Sequence, residues 1–278
     1  MVVVDTSAVL PAAKIPGATY YKADIGDSKK ADSVFKKERP SVVFHLAGPI
    51  NLRREISDLF FLKDVDFLSR TDAILDACQK SNVKKIVFIS SGGAIYENAA
   101  MVPTKEDYNA HPISLYGLAS LMIEKYIACY GKNYNLDFTI ARLSNVYGAR
   151  QWQSGFIPAM IIKMLKKENP VIYGSGLQTR DFIHIDDVVE ALIILARKSE
   201  NEIYNIGSNK EISLNEVFAL IKELLGAQTV AEYKNPKAKE TQRSALDAEK
   251  MQKKFAWQPR VSLKEGLSKT IEWYKEHG

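Results

Sequence analysis

Ser90 and Ser91 follow the apolar run Ile86–Ile89, and Tyr116 stands near the start of a long predicted helix further on. A tyrosine can act as a general acid–base when its pKa is lowered, and a nearby serine can orient a substrate hydroxyl. Bringing a phenol from about 10 toward 7 takes roughly 4 kcal/mol. The usual source is a cation four residues along, because positions i and i+4 share a helix face. Here that position is Ser120, which carries no charge. Lys125 lies about 13 Å of helical rise from Tyr116 and is a poor substitute. On residue type alone, Tyr116 reads first as a structural aromatic and second as a catalyst.

A second group could hold an anion. Arg142, Asn145 and Arg150 bracket Tyr147-Gly148, Arg180-Asp181 precede Phe182, and Arg243 sits between Gln242 and Ser244. Arginine forks suit diphosphates, although each of these side chains also reads as an ordinary ion-pair arginine. A third candidate is Asp5, just past the apolar Val2-Val3-Val4. An acid there could accept hydrogen bonds from a ribose diol, or serve only as a turn or cap residue, and Asp24 has the same ambiguity. A dinucleotide site normally places a glycine-rich turn about twenty residues before such an acid, and no such turn fits ahead of Asp5. Gly174-Ser175-Gly176 lacks the Lys-Ser/Thr of a phosphate loop.

The elements that must position these groups alternate. Strands are predicted over Val2–Val4, Ala18–Ala23, Val42–Leu46, Val83–Ser90, Asp137–Leu143 and Glu202–Ile206. Helices are predicted over Lys29–Glu38, Asp64–Gln79, Leu115–Tyr130, Phe156–Lys166, Asp186–Arg197, Ser213–Leu225 and from Ser262 to about Lys275. Ser213 and Ser262 each have a glutamate at the capping-box spacing, Glu216 and Glu265. Strands alternating with helices mean an α/β fold, with a mostly parallel sheet covered on both faces. After about residue 150 the spacing loosens, as a smaller lobe around the last strands would make it.

The 278 residues are 46% hydrophobic and 26% charged, enough for one large core or two coupled subdomains and too apolar for disorder. Cys78 and Cys129 cannot form a disulfide framework, and with four histidines they are a poor stock for a metal site. Apolar runs such as Ile86–Ile89 are too short to span a bilayer. Met1–Asp5 has no basic segment ahead of an apolar one. A cytoplasmic protein with no membrane contact is expected. The net charge is +5, but its lysine pairs sit among acids. No nucleic-acid-binding signature accompanies them, so no nucleic-acid partner is expected.

Several segments, in order, carry a resemblance: Val42–Gly48, Val87–Tyr96, Arg142–Arg150, Tyr173–Phe182, Ile185–Val188, Tyr204–Gly207 and Trp257–Arg260. Together they resemble the extended short-chain dehydrogenase/reductases, and within them the NAD-dependent nucleotide-sugar epimerases of the UDP-glucose 4-epimerase kind. The resemblance implies a doubly wound NAD(P)-binding Rossmann-like domain at 1–150, to which 181–207 return. Residues 151–180 and 208–278 would form mainly a small carboxyl-terminal substrate lobe. By the same resemblance Asp5 would hold the adenosine ribose of NAD, Asp24 and Ile25 would flank the adenine, and Ala47 and Gly48 would line the cofactor path. Ser90 and Ser91 would lie in the catalytic serine/threonine loop, with Ser91 the nearer hydroxyl, and Tyr116 would be the catalytic tyrosine. Asn145, Arg180 and Arg243 would hold the sugar diphosphate. The implied reaction is reversible oxidation at the sugar 4-position, with hydride returned to the other face after the keto sugar rotates. Gly92-Gly93 stands in place of the Asp-Glu pair of the dehydratase branch, which favours epimerase. A homodimer through the helices at about 64–80 and 115–130 is implied as well.

The chain departs from that family pattern in several places. It opens at the pattern's second strand, Ser120 replaces the lysine, Phe67 an asparagine, Ala149 a proline and Glu97 a glycine. The expectation is an amino-terminally truncated member lacking the glycine-rich motif and the catalytic lysine, with NAD bound weakly or not at all and epimerase chemistry impaired. The alternative is a non-catalytic relative that binds a sugar nucleotide or a protein partner. A sheet lacking its usual first strand leaves ladder edges to be satisfied. That predicts altered pairing around Val2–Val4 and Val42–Leu46, or a second chain supplying a strand.

Overall fold

A computed structural model describes residues 1–6, 14–47, 66–151, 155–198, 201–236 and 241–277. The elements in chain order are β1 (Val2–Asp5), β2 (Thr19–Lys22), α1 (Ser28–Glu38), β3 (Val42–His45), α2 (Asp66–Lys80), β4 (Lys85–Ser91) and α3 (Gly92–Ile95). There follow α4 (Leu115–Tyr134), β5 (Asp137–Leu143), β6 (Asn145–Tyr147), α5 (Phe156–Leu165), β7 (Val171–Tyr173), β8 (Thr179–Arg180), β9 (Phe182–His184) and α6 (Ile185–Arg197). The chain ends with β10 (Glu202–Ile206), β11 (Ile212–Ser213), α7 (Leu214–Leu225), β12 (Glu232–Lys234), α8 (Glu249–Phe255) and α9 (Leu263–His277).

The main sheet has the order β10-β5-β4-β3. β3 and β4 run parallel, with Val42 opposite Lys85 and His45 opposite Phe88. β1 and β2 form a separate parallel pair, Val2 opposite Thr19 and Asp5 opposite Lys22. Among the described residues no strand bridges this pair and the main sheet.

The chain divides into two units. One comprises Met1–Ser90, Ser114–Ile140 and Leu195–Glu202. In it, α1 starts where the Asp27 carboxylate accepts from the backbone N–H groups of Lys29 and Lys30, and stops at Arg39 in the left-handed region, next to Pro40. α1 packs on α2 and α2 on α4. Their inward stripes bury Val34, Phe35, Ile74, Leu75, Ile123 and Ile127, each worth about 1.5–3 kcal/mol of removed apolar surface. α4 continues past the predicted end at Tyr130 to Tyr134, where Asn135 at φ 54 turns the chain out of the helix.

The other unit comprises Ser91–Ile113, Ala141–Ile194 and Ile203–Gly278. Its core is built on α5, α7 and α9, which bury Ile157, Ile161, Val217, Ile221, Leu267 and Ile271. The Ser213–Glu216 capping box is present, and Gly226 at φ 60 ends α7. β6 pairs with β9 and β7 with β12, both parallel, while β8 and β11 are antiparallel. Ser91-Gly92-Gly93, read as a loop, instead starts the single turn α3 with Ser91 as its N-cap. No helix among the described residues is long and apolar enough to cross a membrane.

Candidate functional site

Ser90 and Ser91 close β4, but their surroundings differ. Ser90 is buried and donates its hydroxyl to Oε1 of Glu124 at 2.6 Å; Glu124, on α4, is buried as well. That commits the only proton of the serine, so it can offer nothing but lone pairs to another partner. Ser91 is half-buried and makes no side-chain cap bond at the start of α3. It is the better placed of the two to meet a ligand.

Tyr116 lies in the first turn of α4, whose N-cap Ser114 accepts from the Gly117 N–H at 3.0 Å. The phenol side chain is half-buried. Ser120 is buried and turns its hydroxyl back onto the Tyr116 carbonyl at 2.8 Å. It therefore satisfies backbone, as mid-helix serines commonly do. Lys125 is exposed.

Asp5 and Asp24 come together at one end of the β1–β2 pair, where the Ala23 N–H donates to the Asp5 carbonyl at 2.9 Å. Carboxyl ends of parallel strands are where open α/β sheets bind ligands. Asp5 is exposed, and Ile25 is half-buried beside Asp24. Asp24 has structural partners: it accepts from the Gly26 N–H at 3.0 Å and pairs with Arg70 at 3.4 Å. Ala47 is exposed past β3, and Gly48 lies outside the described residues.

The arginine candidates separate clearly. Arg142 is buried, with Nη1 donating to the Tyr96 hydroxyl at 2.5 Å and the guanidinium 5.0 Å over the Tyr96 ring. It is a core arginine rather than a ligand arginine. Arg180 and Arg243 instead lie on adjoining segments, because the Thr179 N–H donates to the Gln242 carbonyl at 2.8 Å. Arg180 directs Nη1 to the Thr179 carbonyl, and Arg243 forms a two-pronged pair with Glu211. Asn145 joins the same neighbourhood. It is exposed, its N–H donates to the Asp181 carbonyl at 2.9 Å, and a Cβ on Gly93 would lie 4.0 Å from its Oδ1 and 3.6 Å from the Ser244 hydroxyl.

The sequence reading missed the residues that hold this neighbourhood together. Asp181 is fully buried and accepts from the Ser208 N–H at 2.8 Å, the Ser208 hydroxyl at 2.6 Å and the Leu246 N–H at 3.2 Å. Burial pushes its carboxyl upward, against the pull of those donors. It ties the Arg180 strand to the segment that carries Arg243. The signal available in the sequence was an acid directly following a candidate arginine.

Comparison with known proteins shows the family and the fold. The sequence profile described as NAD dependent epimerase/dehydratase family matches residues 2–207, and the chain belongs to that family. A Methanocaldococcus jannaschii protein provisionally named UDP-glucose 4-epimerase is 39% identical over 265 residues, 94% of this chain and 86% of the relative. The solved UDP-glucose 4-epimerase of Thermotoga maritima with UDP-glucose superposes with a TM-score of 0.94 at 35% identity, covering 99% of this chain and 91% of that one. The Thermus thermophilus UDP-glucose 4-epimerase in complex with NAD gives 0.91 at 27% identity, with 99% and 90% covered. The fold is accordingly the Rossmann-like α/β fold of NAD-binding epimerases and dehydratases. These matches correct the expectation of an amino-terminally truncated member: the family profile begins at residue 2, and nine-tenths of the solved epimerase is covered.

Proposed function

We infer that this chain binds a nucleotide sugar through Asn145, Arg180 and Arg243, and that it acts on it as a NAD-dependent 4-epimerase of the UDP-glucose/UDP-galactose kind with slow turnover. The observation that supports the reading is that the segments carrying those three residues adjoin within one unit, linked by the Thr179–Gln242 and Asn145–Asp181 backbone bonds. Two guanidinium forks and an amide suit a diphosphate and its sugar. Tyr116 takes the proton of the sugar 4-hydroxyl, and Ser91 orients that hydroxyl. Ser90, bound to Glu124, holds the end of β4 in place. NAD, when bound, supplies the acceptor and donor of hydride. The exposed Asp5, at the carboxyl end of β1, fits the ribose hydroxyls of its adenosine half, with Asp24 and Ile25 just past the paired β2 for the adenine, and Ala47, past β3, for the cofactor path. Residues 1–150 with 181–207 serve mainly the cofactor, and 151–180 with 208–278 mainly the sugar nucleotide. Leu118 and Met122 stand exposed one turn apart on α4, which supports a homodimer through α2 and α4.

Slow turnover follows from Ser120, which brings no cation to the turn after Tyr116. The same observation favours a second reading, a relative that binds the sugar nucleotide without turning it over. Incubation with UDP-galactose and NAD separates the two. UDP-glucose formed by the wild type and lost in Tyr116→Phe, with UDP affinity unchanged, supports the epimerase. UDP binding that depends on Arg243, with no turnover, supports the second reading. A wild-type chain that binds no UDP at millimolar concentration overturns both.

A further inference from the structure

Glu211 lies just ahead of β11 and has no place in the roles above. Its Oε2 accepts from Arg243 Nη2 at 2.5 Å and its Oε1 from Arg243 Nε at 3.1 Å. Those two donors form the edge of the guanidinium that recognises phosphoryl oxygens bidentately. Oε1 also accepts from the Thr179 hydroxyl at 2.5 Å, on the residue preceding Arg180. The carboxylate is anchored by sheet pairing, since Ile212 lies opposite Arg180 and Ser213 opposite Thr179. The Glu211 side chain is 19% exposed, whereas that of Arg243 is 61% exposed. The acid is therefore the fixed partner and the arginine the movable one.

We propose that Glu211 is an internal competitor for the phosphate-binding edge of Arg243, and so sets how tightly the site holds a nucleoside diphosphate. The proposal rests on the reading of Arg180 and Arg243 as diphosphate ligands. A diphosphate that engages Arg180 as well can draw the Arg243 fork away from Glu211, and the carboxylate left behind repels it. Removing the charge of Glu211 removes both the competition and the repulsion. For a partly exposed pair this corresponds to roughly two- to fivefold in affinity.

The test is calorimetric titration of the full chain with UDP. It compares wild type, Glu211→Gln, Arg243→Ala and the double variant, each checked for an unchanged thermal unfolding midpoint. Glutamine keeps an acceptor for Thr179 while removing the charge, and Glu211→Ala serves as a second variant should glutamine disturb the strand. The expected result is UDP binding roughly two- to fivefold tighter in Glu211→Gln, with the gain absent when Arg243 is alanine. Unchanged or weaker binding in both Glu211 variants, alongside a clear loss in Arg243→Ala, overturns the role of Glu211 and leaves the diphosphate site standing. UDP affinity indifferent to Arg243→Ala overturns the site reading and the competitor with it.

Discussion

The Ser90 hydroxyl donates to the Glu124 carboxylate across 2.6 Å, and both side chains are buried. The bond joins the end of β4 to the middle of α4, the helix that carries Tyr116. Deleting the Ser90 hydroxyl removes a donor from a buried carboxylate. A hydrogen bond to a charged group is worth about 1.5–3 kcal/mol, and its loss on one side costs a similar amount. Ser90→Ala is therefore expected to lower unfolding free energy in urea by about 2 kcal/mol, while Glu124→Gln, which keeps an acceptor, costs less. Ser91→Ala is expected to leave stability nearly unchanged and to lower turnover instead. Equal stability losses at Ser90 and Ser91 would contradict the division of roles.

The Tyr96 hydroxyl sits at the centre of a second buried arrangement. It accepts from Arg142 Nη1 at 2.5 Å and lies 3.1 Å from Asn205 Oδ1, to which it donates. Asn205, fully buried, passes its Nδ2 protons to the carbonyls of Thr104 at 2.9 Å and Asp247 at 3.0 Å. Tyr96→Phe keeps the ring under the guanidinium but removes a partner from both neighbours. The expected loss is about 2–3 kcal/mol, read as a lower urea midpoint with an unchanged slope. A variant as stable as wild type would mean that water or another group replaces the hydroxyl at no cost.

What the sequence disclosed follows physical range. Pro40 marks the end of α1 within two residues, and Ser213 with Glu216 marks the start of α7. β5 and β10 run over the predicted residues because apolar runs with clear borders define them. β8 and β11 have two residues each, too few for any period to register. The site residues with local motif character, Asn145, Arg180 and Arg243, were visible. Glu124 and Glu211 were not, because their partners lie 34 and 32 positions away and nothing local distinguishes them from surface acids. Arg142 read both as a diphosphate arginine and as an ordinary structural one until the fold placed Tyr96 against it.

His45 offers a test of the packing around β3 that is independent of any ligand. It is 3% exposed at the end of that strand, with Nε2 3.2 Å from the Thr71 hydroxyl and its ring 5.2 Å from that of Phe88. Burial holds its pKa down to about 4, whereas in the unfolded chain it returns to about 6.5. Between those values the unfolded state takes up a proton that the folded state refuses. The stability contributed by neutral His45 is therefore complete above about pH 6.5 and is lost as pH falls toward 4. The full gap corresponds to on the order of 3 kcal/mol. His184 is also shifted downward, burial being the main cause, and adds a slope of the same sign, so the difference between two proteins is the informative quantity. Urea unfolding at pH 7, 5.5 and 4.5 should show wild type losing stability faster than His45→Gln, with the gap opening below pH 6.5. Parallel curves would mean that His45 is protonated within the fold and that the end of β3 is open to water.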